Sequence, residues 1–167
     1  MKAIDLDRHM RKVGEWVDWD NTCDQFVAGD PQAEVTGIAV AWQARTAAVL
    51  KALEVGCSLF VTHEPVFYDP ASSEHPGVAA KHKLIDESGI VIYRCHDVWD
   101  QMPWIGIVDS WASHLELGTK LASNGFHAAY ESPAPALSEL GRYVAGKTKS
   151  LGQDNVETLG DPDAPIS

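Results

Sequence analysis

Apolar and polar residues alternate along the chain in a pattern that predicts strands and helices in turn. Short apolar runs predict three buried strands, at residues 35–42, 57–62 and 90–95. Between them, apolar positions three and four residues apart predict helices at 45–55 and 78–88. This alternation predicts an α/β fold, with a largely parallel sheet flanked by helices. The first of the three strands is mostly apolar and is therefore expected in the centre of the sheet.

The remaining segments follow the same patterns less regularly. Amphipathic spacing predicts three more helices, at residues 4–17, 107–122 and 136–147. Turn-forming residues predict an irregular connection over 18–32, with a short strand at Phe26-Val27, and a loop over 68–75. Residues 155–159 are expected to begin a strand. We expect a single α/β domain across residues 1–167.

Composition and charge limit the partners that this chain can have. The composition, 45% hydrophobic and 22% charged, is typical of a globular protein. The net charge of -11 argues against nucleic acids and anionic membranes, which bind basic surfaces. No apolar run approaches the roughly 20 residues of a membrane span, and the N-terminus lacks a signal-peptide core. We therefore expect a cytoplasmic protein without a nucleic-acid or membrane partner.

The three cysteines are widely spaced, which predicts neither a disulfide framework nor a zinc-binding CxxC pair. Cys57 and Cys95 lie within or beside apolar strands, so buried free thiols are expected there. Cys95 could instead be a soft metal ligand beside His96. Side chains alternate along a strand, however, and neighbouring residues therefore point to opposite faces.

Two of the predicted strands end in a histidine and a carboxylate. His63 and Glu64 follow the second strand, while His96 and Asp100 follow the third. Ligands bind at the carboxyl ends of parallel strands, and adjacent strands lie about 4.8 Å apart, so these side chains can converge on one ion. Imidazole and carboxylate suit zinc, manganese, iron or nickel. The alternative is that these residues only cap turns.

The segment from His96 to Asp100 leaves room for one residue to bind an ion while the other orients it. Trp99, inside this segment, is a candidate wall of a ligand pocket. The sequence contains no phosphate-binding glycine motif and no nucleophile elbow. A nucleotide-binding module without metal is therefore the weakest of the functional hypotheses.

Several motifs resemble those of a known family. Residues 61–67, Val-Thr-His-Glu-Pro-Val-Phe, resemble the I-T-H-H-P-L-I-F motif of the Nif-three-like family (NGG-one-interacting factor three). Residues 19–21 and 29–31 resemble its W-D-N-V-G-L-L-V-G-D-P segment, and residues 96–100 resemble its H-T-N-L-D. Members of this family are often named GTP cyclohydrolase I type 2 homologues.

The resemblance implies a Nif-three-like α/β fold with a dinuclear metal site. By the position of each motif residue, it implies that His63, Glu64 and Asp100 are metal ligands. His96 corresponds to a pocket residue near the metals and is the candidate catalytic group, as a proton shuttle. A further His and Glu come from the family's second half, so this chain corresponds to the N-terminal half and the second half is expected to be absent.

Three departures from the family pattern affect this expectation. Glu64 replaces the second histidine, residues 22–25 replace a glycine-leucine segment, and the closing His and Glu are missing. A site with two or three protein ligands binds metal weakly unless water, another subunit or a missing segment completes it. The chain is expected to be either part of a longer protein or a short relative with a defective second metal position.

Two functional hypotheses follow from the resemblance. The first is a metal-dependent hydrolase acting on a nucleotide or phosphoester-type small molecule, although no basic cluster for a triphosphate is visible in the sequence. The alternative is a non-catalytic assembly or regulatory protein with a degenerate metal site. The resemblance implies a homo-oligomer, ring-shaped in other members, under either hypothesis.

Overall fold

The computed structural model describes residues 1–68 and 75–166, which form two compact units, residues 1–99 and 100–167. Residues 69–74 of the predicted loop lie outside the described residues. The first unit contains, in chain order, α1 Ile4–Val13, β1 Gln25–Ala28, β2 Ile38–Ala41, α2 Thr46–Glu54, β3 Leu59–Thr62, α3 Pro76–Ser88, β4 Val91–Arg94 and most of α4 Asp97–Asp100. The prediction of a single domain stays a prediction.

The strands of the first unit form one four-stranded sheet in the order β1-β4-β3-β2. β2, β3 and β4 are parallel, and β1 is antiparallel to β4. The predicted α/β fold with a largely parallel sheet is therefore confirmed. The register pairs Ala41 with Thr62 and Thr62 with Arg94, so the carboxyl ends of the three parallel strands lie at the same end of the sheet.

The prediction that the first apolar strand is central is wrong, because β2 is an edge strand. Ile38 and Val40 on β2 are 45% and 76% exposed, whereas Ala39 and Ala41 face the core. An apolar run looks the same in sequence whether or not both of its faces are covered. The central positions belong to β3 and β4, whose side chains are nearly all buried.

Both faces of the sheet carry a core because successive side chains on each strand point in opposite directions. One face packs Phe60 and Ile92 against residues of α2 and α3. The other face packs Leu59, Val91 and Tyr93 against α1. The Tyr93 hydroxyl donates a hydrogen bond of 3.2 Å to Asp7 of α1, and burial raises the pKa of Tyr93.

Gly29 follows β1 at a point where the chain approaches β4 very closely. The pairing of β1 with β4 shifts between Phe26 and Ala28, and Gly29 then adopts a left-handed φ of 77°. A Cβ at Gly29 would lie 2.7 Å from both the Ile90 oxygen and the Val91 Cα. Only glycine fits this position without moving the backbone.

The second unit contains α5 Ile107–His114, β5 Lys120–Asn124, β6 His127–Tyr130, α6 Leu137–Thr148 and a short 3-10 helix Lys149–Leu151. β5 and β6 pair as an antiparallel hairpin. Asp109 of α5 accepts hydrogen bonds from Lys120 and from the Tyr130 hydroxyl, and these bonds hold the hairpin against the helix. The hydrogen bond from Lys120 is the main reason that the pKa of Asp109 is lowered.

Two predictions in this unit are wrong. The helix predicted over 107–122 ends at His114, and Glu116 adopts a left-handed φ of 50° where the chain turns. Residues 155–159 form no strand. None of the described helices is both long enough and apolar enough to cross a membrane.

Candidate metal centre

The ends of β3 and β4 bring two histidines together. Hydrogen bonding continues past the strands, because the Cys95 amide donates to the Thr62 oxygen at 2.9 Å and Arg94 Nε donates to the His63 oxygen at 3.2 Å. These bonds fix the backbone from which His63 and His96 project. Their ring centroids lie 4.3 Å apart, with an angle of 31° between the planes.

The imidazole of His63 also stacks on Trp42, which follows the edge strand β2. The two ring centroids are 3.9 Å apart and the planes differ by 14°. The Trp42 oxygen accepts a hydrogen bond of 2.9 Å from the Glu64 amide, which holds the two strand ends together. His63 is therefore held between an indole and a second imidazole, and its side chain is only 9% exposed.

A buried carboxylate fixes the start of α4, which directly follows His96. Asp24, 1% exposed, accepts hydrogen bonds from three consecutive amides: those of His96 at 2.6 Å, Asp97 at 2.9 Å and Val98 at 2.8 Å. A carboxylate satisfies amides that a helix start leaves unpaired, and the helix dipole favours its negative charge there. Asp24 thereby determines the position of the His96 backbone.

The side chain of Asp97, the residue after His96, connects the His96 ring to Thr22 and Cys23. Its Oδ1 lies 2.8 Å from His96 Nδ1 and accepts a hydrogen bond of 3.4 Å from Cys23 Sγ. Its Oδ2 accepts one of 2.8 Å from Thr22 Oγ1. Burial by itself raises the pKa of Asp97. The hydrogen bonds from Thr22, His96 and Cys23 outweigh burial and hold this pKa below its ordinary value, so Asp97 is a carboxylate at neutral pH.

Three of the predicted site residues form one group, which we call the His–His–Asp group: His63, His96 and Asp100. Each offers one ligand atom, and these atoms lie within 4.8 Å of one another. Asp100, the last residue of α4, is 8% exposed. Four ligands at about 2.1 Å from a tetrahedral ion lie about 3.4 Å apart, so a small inward shift would let the three atoms hold one ion. Imidazole nitrogen and carboxylate oxygen are the ligands that zinc, manganese, iron and nickel accept, so the residues present fit a metal ion.

The fourth predicted residue, Glu64, is not part of this group among the described residues. Its Oε1 lies 3.8 Å from His63 Nδ1, and its side chain is 25% exposed. The structure thus brings His96, the predicted catalytic residue, to the position expected for a ligand. The roles that the resemblance implies for Glu64 and His96 stay predictions.

The structure also contains a second group, which the sequence did not predict and which we call the Cys–His–Asp group: Cys23, His96 and Asp97. Its ligand atoms likewise lie within 4.8 Å of one another. Burial and the neighbouring Asp97 raise the pKa of the Cys23 thiol to about 11. The one indication of this group in the sequence was that residues 22–25 depart from the family segment. No local pattern links Cys23 to Asp97, because 74 residues separate them.

An apolar cavity of about 230 Å³ opens beside His63. Its lining residues are Val40, Ala41, Trp42, Val61, Thr62, His63, Cys95 and Trp99. Trp99 is therefore in a pocket wall, as the sequence predicted. Trp42 and Trp99 are both about half exposed, so two large aromatic surfaces are accessible next to the histidines. Such a lining suits a ligand with a flat or apolar portion.

Comparison with known proteins places this chain in a family. The sequence model of the Duf34/NIF3 (NGG1p interacting factor 3) family matches residues 5–167. Among curated proteins, no sequence matches the chain significantly.

Among the solved structures with a similar fold are those of the following three proteins. HcgD from Methanocaldococcus jannaschii, in its reduced form, has a TM-score of 0.60 and 22% identity, over 75% of this chain and 52% of HcgD. The protein ybgI, of unknown function, has a TM-score of 0.63 and 18% identity, over 89% of this chain and 61% of ybgI. A Bacillus cereus protein related to NIF3 has a TM-score of 0.61 and 17% identity, over 74% of this chain and 36% of that protein. At these identities the likeness shows the fold, and the chain spans about a third to three fifths of the length of these proteins.

Proposed function

The chain belongs to the Duf34/NIF3 family, and we propose that it binds a divalent metal ion through the His–His–Asp group. One observation carries this proposal: His63, His96 and Asp100 converge near the carboxyl ends of the parallel strands, with ligand atoms within 4.8 Å of one another. The donor set allows zinc, manganese, iron or nickel, and does not select among them.

The surrounding residues hold these side chains in place before any ion binds. Asp97 engages Nδ1 of His96 and thereby restrains the ring, so this proposal assigns Nε2 as the nitrogen that binds the ion. Stacking on Trp42 restrains the His63 ring, and Arg94 restrains the His63 carbonyl. Because little conformational freedom is left to lose, metal binding needs little reorganisation of the group.

We propose metal-dependent hydrolysis of a nucleotide or phosphoester-type small molecule as the activity of this site. A bound divalent ion supplies Lewis-acid polarisation of the scissile bond. The apolar cavity beside His63 accepts a flat portion of the substrate against Trp42 and Trp99 and excludes water there. The resemblance to GTP cyclohydrolase I type 2 homologues supports a nucleotide among such substrates.

The rival proposal is a non-catalytic homo-oligomeric assembly or regulatory protein with a degenerate metal site. Glu64, in place of the family's second histidine, favours it, because one imidazole ligand of the family site is missing. Turnover separates the two proposals. The metal-loaded protein is expected to hydrolyse members of a panel of nucleotides and phosphoesters, and stoichiometric metal without any turnover would favour the rival.

Metal binding is tested by calorimetric titration of the chain with zinc, manganese, iron(II) and nickel. We expect one of these ions to bind stoichiometrically, and H63A, H96A and D100A each to weaken binding by at least about tenfold, because each removes a direct ligand. His127→Ala is the matched control, since His127 is an exposed histidine on β6 of the second unit.

The same titration decides between the two assignments of His96 and Glu64. Glu64→Ala is expected to leave affinity nearly unchanged if His96 is the ligand. A large loss in Glu64→Ala with none in His96→Ala would instead support the family assignment, with Glu64 as ligand and His96 as proton shuttle. Binding that none of the four variants affects would contradict the proposed site.

A further inference from the structure

We propose that the Cys–His–Asp group is a second metal site, which binds a thiophilic divalent ion such as zinc or cobalt through Cys23 Sγ, His96 Nδ1 and Asp97 Oδ1. The proposal goes beyond the metal site above, because it uses a different ligand set and requires neither His63 nor Asp100. The two groups share only His96. Its neutral ring offers one nitrogen at a time, Nδ1 to this group or Nε2 to the other, and binding two ions at once would also require loss of the remaining ring proton.

The distances within the group are close to those of a zinc site. Ligand bonds of about 2.3 Å to sulfur and about 2.1 Å to nitrogen or oxygen place tetrahedral ligand atoms about 3.4–3.6 Å apart. Cys23 Sγ already lies 3.4 Å from Asp97 Oδ1. His96 Nδ1 lies 2.8 Å from the same oxygen, so this pair has to open by about 0.6 Å when an ion replaces the proton between the two atoms.

The environment of the group is also that of a metal site. Asp97 keeps its second oxygen in a hydrogen bond from Thr22 Oγ1, which is the support that ligating carboxylates usually have. Thiolate and carboxylate together carry two negative charges, which balance a divalent ion. The side chains of His96 and Asp97 are 23% and 12% exposed, so an ion can reach the group from solvent and water can supply a remaining ligand.

The chemistry of the ligands separates this site from the His–His–Asp group. A thiolate is a softer ligand than imidazole or carboxylate and favours zinc or cobalt over manganese. Cys23 Sγ donates its hydrogen bond to Asp97 Oδ1, so an ion bound between these two atoms takes the place of the thiol proton. The same hydrogen bond already points Sγ toward the position that the ion would take.

The direct test is a cobalt(II) titration of the whole chain, followed by the near-ultraviolet charge-transfer absorption of a cobalt–thiolate bond. We expect this absorption to saturate in the wild-type protein and to be lost in Cys23→Ser. Serine keeps a hydroxyl donor for Asp97, so this variant is expected to fold. Cys57→Ser is the matched control and is expected to keep the absorption. No thiolate absorption in the wild type, or full absorption in Cys23→Ser, would overturn the proposal.

The variant His63→Ala tests whether the second site binds its ion independently of the His–His–Asp group. We expect it to lose the ion of the His–His–Asp group while it keeps the cobalt–thiolate absorption. Loss of the absorption in this variant would mean that the second site does not exist independently.

A second measurement on the wild-type chain requires no variant. Zinc is expected to slow alkylation of Cys23 by iodoacetamide at least about tenfold and to leave Cys57 unaffected, as read by mass spectrometry of each cysteine. Equal alkylation of Cys23 with and without zinc would also overturn the proposal.

Discussion

Asp24 is a buried carboxylate whose partners are the backbone amides at the start of α4. A charged group in the protein interior is stable only when hydrogen bonds replace its lost water, and three amides do so here. The same bonds hold the backbone of His96, which both metal groups share. One side chain without a predicted role therefore stabilises the fold and positions the site.

Asp24→Ala is expected to lower the free energy of unfolding by about 2–3 kcal/mol, because it leaves three amides without their acceptor. It should also weaken binding at the His–His–Asp group, since His96 loses its support. Urea denaturation and metal titration measure the two effects. Asp20→Ala is the control, because Asp20 is an exposed aspartate in the same segment, and a change within about 0.5 kcal/mol is expected for it. Equal effects from the two variants would contradict the role of Asp24.

Residue by residue, sequence reasoning predicted the convergence of candidate site residues that follow a strand and missed the candidates that do not. His63, His96 and Asp100 follow two apolar runs whose parallel pairing was predictable, so their convergence was predictable too. Cys23 and Asp97 meet because an irregular segment folds against α4, and no periodic pattern encodes such a contact. The position of Glu64 outside the first group depends on how the chain turns after β3, which a motif alone does not determine.

At the scale of elements, the contact of Gly29 with β4 shows how tightly β1 joins the sheet. Gly29→Ala would place a Cβ 2.7 Å from two backbone atoms, neither of which can move without disturbing β4. Gly56 has nearly the same φ, 79°, and no atom of the residues that the structure describes lies within 4 Å of its Cβ position. Alanine variants at the two positions therefore separate the free-energy cost of a left-handed backbone from the free-energy cost of steric overlap with β4.

We expect Gly56→Ala to destabilise the protein by about 1–2 kcal/mol, the cost of a left-handed alanine. Gly29→Ala should cost roughly 1–3 kcal/mol more, because overpacking adds to the same conformational cost. Urea denaturation of both variants gives the difference. Equal losses of stability in the two variants would show that β4 shifts to accommodate the added Cβ at no measurable cost.

Elements with a buried apolar face were predictable, and those without one were not. The helices and strands of the first sheet have such a face, so their positions follow from periodicity. The β5–β6 hairpin was missed because every residue of β5 is exposed and alternation therefore carries no signal. The edge position of β2 was missed for a related reason, because its exposed residues are apolar like those of a central strand.

At the scale of the whole molecule, the net charge of -11 bears on the expected homo-oligomer. Copies of a strongly acidic chain repel one another, and salt screens this repulsion. We expect sedimentation equilibrium to give a multiple of 18.2 kDa, with association that strengthens as salt is added. A mass of one chain at every salt and protein concentration would contradict the homo-oligomer.

The bond from Asp24 to the His96 amide joins residues that are 72 positions apart, and it has a consequence for the newly made chain. Synthesis releases the N-terminal part first, so the Asp24 carboxylate stays in water until Val98 has left the ribosome. Asp24 directly precedes β1 and His96 follows β4, and the pairing of Gln25 with Arg94 in these two strands brings the partners of the bond together. A nascent chain that stops before His96 holds only one imidazole of the metal ligands. If the proposed site binds metal, capture of the ion by these ligands is therefore expected to follow formation of the sheet that supports them.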